Sequence, residues 1–111
     1  MNIESSADFD HARLRPGESK VYELEATTTP DFLSGWVKWA KSPKQISVHK
    51  NVAVDVEYPN GTVIHFDAPR PTGLQVINTF GGPSPGTYKV TLINNGSKRL
   101  NLSGGVALGT L

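Results

Sequence analysis

The stretch Asn51–Phe66, NVAVDVEYPNGTVIHF, restricts the fold more than any other part of the chain. Val52, Val54, Val56 and Tyr58 fall on one side of an extended strand, and Ala53, Asp55 and Glu57 on the other. A period of two marks a half-buried strand, because successive Cβ atoms point to opposite faces of the pleat. Pro59-Asn60-Gly61 interrupts the pattern, and a second β-rich run begins at Thr62. Asn-Gly tolerates positive φ at both central positions, which predicts a two-residue type I′ hairpin turn.

The same grammar recurs along the chain. Arg15-Pro16-Gly17-Glu18 reads as a type II turn, with Pro and Gly at its central positions. Lys20–Ala26 alternates, with Tyr22, Leu24 and Ala26 opposed to Val21, Glu23 and Glu25. Ile46 and Val48 alternate with Ser47 and His49, so the β pattern is expected to run from Gln45 onward. Two prolines in Ala68–Gly73 exclude helix and central strand there. Leu74, Val76, Asn78 and Phe80 alternate with Gln75, Ile77 and Thr79, and a Gly-Pro cluster follows at Gly81–Gly86. Thr87–Ile93 points Tyr88, Val90 and Leu92 inward, and Asn94–Ser97 reads as a second Asn-Gly hairpin turn. Leu100 and Leu102 open the next strand, and Val106 and Leu108 belong to a last one.

Thr27–Ser42 admits two readings. Phe32, Leu33, Trp36, Val37 and Ala40 share one helical face behind a Thr29-Pro30-Asp31 start, which suits a short helix within 29–41. Gly35 and the Trp and Val side chains favour a strand. A loop to Ser34 followed by a strand over Gly35–Lys41 is the preferred reading. Eight to nine short strands at spacings of about ten residues then predict an all-β fold, an antiparallel β-sandwich of jelly-roll or Ig-like type.

At 111 residues the chain is one domain. Residues 1–13 read as a polar arm or first edge strand, and residues 14–111 as the sandwich. Lys and Arg total 11 against 10 Asp and Glu, so no excess of charge argues for nucleic acid or an anionic membrane surface. There is no cysteine, hence no disulfide framework and no thiolate metal site. The first residues contain no apolar h-region and no run reaches transmembrane length. The expected setting is cytoplasmic, or that of a mature or excised form.

Candidate chemistry is sparse. Trp36 and Trp39 come first: on a strand their spacing puts them on opposite faces, one in the core and one exposed. An exposed Trp can stack on a sugar ring or anchor a protein. His11, His49 and His65 lack the close spacing of zinc ligands. Asp8, Asp10, Asp55, Glu57 and Asp67 are carboxylates available to calcium, yet Asp55 and Glu57 sit where solvated charges normally sit on a strand. Glu23 and Glu25 are likewise outward strand positions, no Gly-x-Ser-x-Gly elbow is present, and no helix follows Gly81-Gly82-Pro83 to hold a phosphate. No catalytic residue, metal or cofactor is therefore expected. The glycosylation-like triplets at Asn60, Asn95 and Asn101 read as structural, the first two as hairpin turns. Leu100–Leu111, apolar and Gly-rich, resembles an unprotected edge strand, which leads us to expect self-association through that edge or a Trp-bearing face.

Three pieces of the chain, Arg15-Pro16-Gly17-Glu18-Ser19, Val52–Gly61 and Pro85–Asn94 (PGTYKVTLIN), resemble small bacterial β-sandwich modules of the pre-peptidase C-terminal type, and luminal Golgi-dynamics (GOLD) domains. The cysteine pair usual in the latter is absent, and the acidic calcium cluster of collagen-binding relatives is not evident. The resemblance implies a non-catalytic binding or adaptor module and transfers no site residue. Together with the residues, it leads to a module that binds a carbohydrate or a protein surface, with Trp36, Trp39 and Tyr58 as anchors. The alternative is a structural subunit of a virion, toxin complex or secretion apparatus, in which the same aromatics form subunit contacts in a homo-oligomer.

Overall fold

The computed structural model describes residues 1–67 and 72–111, so most of the proline-rich Ala68–Gly73 segment lies outside the described residues. Among the described residues ten strands follow in order: β1 (Asn2–Asp8), β2 (Arg13–Leu14), β3 (Ser19–Ala26), β4 (Phe32–Lys38), β5 (Val52–Glu57), β6 (Val63–Phe66), β7 (Leu74–Thr79), β8 (Gly86–Asn94), β9 (Leu100–Asn101) and β10 (Ser103–Thr110). They form two four-stranded antiparallel sheets, a front sheet β1-β10-β4-β7 and a back sheet β3-β8-β5-β6, with a short β2-β9 ribbon. The fold is the antiparallel β-sandwich that the alternation predicts. Among the described residues no helix is long and apolar enough to cross a membrane.

The core lies between the sheets. Leu33, Val37, Ile77, Val106 and Leu108 enter it from the front, and Leu24, Val54, Val56, Tyr88, Val90 and Leu92 from the back. Each large side chain so buried stabilises the fold by roughly 1.5–3 kcal/mol relative to exposure. Residues 2–8 form the front sheet's edge strand, and Phe9, just beyond it, is fully buried with its ring 4.8 Å from that of Tyr22. The first thirteen residues are thus continuous with the sandwich.

Several local expectations change. The Thr27–Ser42 segment is a strand, as preferred, but it starts at Phe32 and ends at Lys38. Gln45–His49 is not β: a 3-10 turn at Pro43–Gln45 is followed by coil, with Ile46 and Val48 exposed. The β5–β6 hairpin is real, but its turn is not type I′. Gly61 alone has positive φ (88°), and Tyr58 N–H donates to Thr62 O while Gly61 N–H donates to Tyr58 O. Those bonds close a three-residue loop of the type I turn plus bulge kind, because Pro59 sets φ near −65° at the first central position.

Leu100–Leu111 is no edge. β10 lies between β1 and β4 and pairs with both, so its apolar, uncharged character reflects a central strand with neither side open. Self-association through a C-terminal edge therefore loses its basis. Asn94–Ser97 is not a hairpin either, since β9 leaves β8 and pairs with β2. Asn94 is fully buried, its side-chain amide donating to Leu14 O and Lys98 O while its Oδ1 accepts from Gly96 N–H.

Candidate ligand-binding face

Strand alternation decides where the tryptophans go. On β4, Leu33 and Val37 face the core, so Ser34, Trp36 and Lys38 face outward. Trp36 is 46% exposed, whereas Trp39, an odd number of positions on, turns inward and is 7% exposed.

Trp36 stands in a cross-strand row with Gly105 of β10 and Val76 of β7. One flank therefore has no side chain, and the other has a half-exposed valine. The indole packs against Gly104: a Cβ there would lie 2.7 Å from Trp36 Cε3. Gly104 has φ of +115°, a conformation that L side chains rarely adopt. Its N–H donates to Asp10 Oδ1 (2.9 Å), and its carbonyl accepts from Phe9 N–H (2.8 Å). The bed of the ring is thus fixed from two sides. Next to this row lies Ser6–Ala107–Ser34–Asn78, which sets exposed hydroxyls and an amide two residues from the indole, about 7 Å along the strand.

Trp36, Trp39 and Tyr58 do not converge. Gly73 and Gly81 flank the two ends of β7, and they separate the other two aromatics. Trp39 packs at the Gly73 end, its backbone N–H donating to Gly73 O. Tyr58 lies at the Gly81 end, half-buried, its hydroxyl 3.3 Å from Gly81 O and its ring edge-on to Tyr88 at 5.6 Å. Tyr58 supports the core, Trp39 belongs to it, and Trp36 is the tryptophan presented to solvent.

A cavity of about 280 Å³ opens where β4 ends, lined by Asp10, His11, Arg13, Lys38, Trp39 and Lys41 among others. His11 helps shape it from a left-handed conformation (φ 66°), which His adopts more readily than most residues. A second cavity, of about 410 Å³, shares Arg13 and adds Arg15, Glu18 and Arg99. Overall composition does not reveal this basic end. Its sequence signal is the pairing of Arg13 and Arg15 around β2 with Lys98 and Arg99 before β9.

The histidines are dispersed: His11 lines the first cavity, His49 lies beside Ser97, and His65 sits on the outer face of the back sheet. Among the described residues no group of His, Asp or Glu is placed to hold a metal ion. His65 Nδ1 lies 2.5 Å from Asp55 Oδ1 and its Nε2 3.9 Å from Asp67. The hydrogen bond to Asp55 raises the His65 pKa; burial opposes it, and the negative charges of Asp55 and Asp67 add to the rise. A raised pKa adds stability that is full below the unfolded-state value and fades as pH rises through the folded-state value. Asp55→Asn is expected to lower the His65 midpoint in a proton NMR titration, and to destabilise slightly at pH 5 but not at pH 9.

No family model matches the sequence, and no curated protein matches it. Solved structures do. The chain is similar to Yersinia pseudotuberculosis-derived mitogen (TM-score 0.61, 9% identity, 98% of this chain and 88% of that one). It is also similar to the carbohydrate-binding module CBM35 from Cellvibrio japonicus Abf62 (TM-score 0.54, 14% identity, 87% and 69%). A third likeness is to a structure of infectious bursal disease virus, Gx strain (TM-score 0.53, 13% identity, 93% of this chain but 30% of that one). At such identities the likeness is one of fold.

Proposed function

We propose that this chain is a non-catalytic carbohydrate-binding module that takes its ligand on the outer face of the front sheet, with Trp36 as the stacking platform. The observation that carries this reading is the 46% exposure of Trp36 on a bed shaped by Gly104 and Gly105. An indole offers a rigid apolar plate to the C–H face of a pyranose ring at low cost in conformational entropy. Ser34, Asn78 and Ser6 supply hydrogen-bonding groups beside it, as a sugar's hydroxyl rim requires. Such a surface binds without chemistry.

Affinity electrophoresis against a panel of soluble plant, algal and bacterial polysaccharides tests it. The wild-type chain is expected to be retarded by at least one of them. Trp36→Ala is expected to lose about 2 kcal/mol or more of binding, the scale of a central aromatic anchor, which is roughly 30-fold in Kd. Its unfolding midpoint should stay close to wild type, since the indole is outside the core. Retardation unchanged in Trp36→Ala would overturn the reading.

The second reading, an assembly subunit, is favoured by the exposure of Leu74 and Val76 beside Trp36, an apolar strip suited to another protein surface. Burial of this strip as protein concentration rises distinguishes it.

A further inference from the structure

We infer that the ligand is an anionic polysaccharide, whose carboxylate or sulfate groups are held in the basic cavities at the β4 end of the sandwich. This rests on the binding face proposed above and names the ligand class it accepts. The net charge of +1 conceals a segregation. Arg13, Lys38 and Lys41 line the first cavity, and Arg15 and Arg99 join Arg13 around the second. Two carboxylates line these cavities, and each is already engaged by backbone: Asp10 Oδ1 accepts from Gly104 N–H, and Glu18 Oε1 accepts from Arg15 N–H. Among the described residues no Lys or Arg lies within 4.0 Å of a carboxylate, and the ion pairs formed all involve His65 on the other sheet. The cationic groups of this end are therefore free to meet an external anion.

A second observation points the same way. Trp39 lines the first cavity and is 93% buried, yet its indole Nε1–H has no hydrogen-bond partner among the described residues. A buried donor without an acceptor is costly, which favours an acceptor reaching it from beyond the described residues. Any oxygen acceptor would satisfy it, and the Arg13, Lys38 and Lys41 side chains lining the same cavity favour an anionic one.

Geometry joins this end to the stacking face. Lys38 lies two residues from Trp36 on the same outward side of β4, about 7 Å along the strand. It is thus at once a neighbour of the platform and part of the cavity wall. A chain stacked on Trp36 and running toward Lys38 delivers its next residue to the cavity mouth. Bidentate recognition by guanidinium groups suits a uronate carboxylate or a sulfate ester equally. A polysaccharide satisfies both the aromatic face and the cations, which favours it over a purely phosphate-reading nucleic acid.

The test titrates the folded chain with polygalacturonate, with its fully methyl-esterified form, with dextran sulfate and with single-stranded DNA, at 20 and 200 mM NaCl. Polygalacturonate or dextran sulfate is expected to bind at least tenfold tighter than the neutral ester and to weaken with salt, and the tighter of the two identifies the anion. Arg13→Gln/Lys41→Gln, both surface changes checked by thermal unfolding, should lose at least tenfold toward the acidic ligand. Equal binding of the neutral ester, no loss in the double variant, or DNA binding as tight as the polysaccharides overturns the inference. The two readings fail separately. If Trp36→Ala binds normally while the double variant does not, the platform fails and the anion site stands, whereas the reverse pattern leaves a neutral-glycan face.

Discussion

Asn94→Ala is expected to cost about 3–5 kcal/mol of stability, a large share of the roughly 5–15 kcal/mol that holds a domain of this size folded. The side chain is completely buried at the end of β8, where its amide donates to Leu14 O (3.1 Å) and Lys98 O (2.8 Å). Its Oδ1 accepts from Gly96 N–H (3.0 Å). Alanine leaves the buried Leu14 carbonyl and the part-buried Lys98 carbonyl and Gly96 N–H without their partner, and each group orphaned away from water costs about 1–3 kcal/mol. The three bonds also tie β2 to the β8–β9 connection, so their loss should loosen the whole basic end. Urea denaturation should show a lower midpoint at an unchanged m-value. A loss under 1 kcal/mol would show that water replaces the amide.

Gly104→Ala is expected to lose about 3 kcal/mol of stability and, with it, ligand binding. The φ of +115° is strained for any L residue, and a new Cβ would press on both the Trp36 backbone carbonyl and the indole. The contrast with Gly61→Ala makes the prediction specific. Gly61 also has positive φ (88°), but nothing lies within 4 Å of a Cβ placed there. That change should cost only about 1 kcal/mol of backbone strain and leave binding intact. Equal effects of the two substitutions would separate Gly104 from the seating of Trp36.

The layered β fold is written plainly in the chain, since each alternating run buries one side and the turn residues punctuate them. Periodicity also separates Trp36 from Trp39, because a strand turns over at every residue. Other features depend on distance through space. Leu100–Leu111 resembles an exposed edge in one dimension, and only its pairing with β1 and β4 shows it to be central. Asn94 belongs to an Asn-Gly stretch whose local chemistry suggests a hairpin, yet its partners are Leu14 and Lys98, the first eighty residues away. Pro59 overrules the Asn-Gly preference within the very turn that defines the best hairpin. The basic end is hidden by composition, because acids that lie mostly elsewhere cancel its cations in the sum.

The most direct test of the binding face is Trp36 emission in a folded Trp39→Phe variant, followed over a protein concentration series and then with saturating polysaccharide. Red-shifted emission, open to acrylamide quenching at every concentration, is expected to turn blue and protected only when polysaccharide is added. Emission that stays unchanged with every polysaccharide of the panel contradicts the binding face, and emission that turns blue as protein concentration rises without polysaccharide assigns the front face to another protein surface.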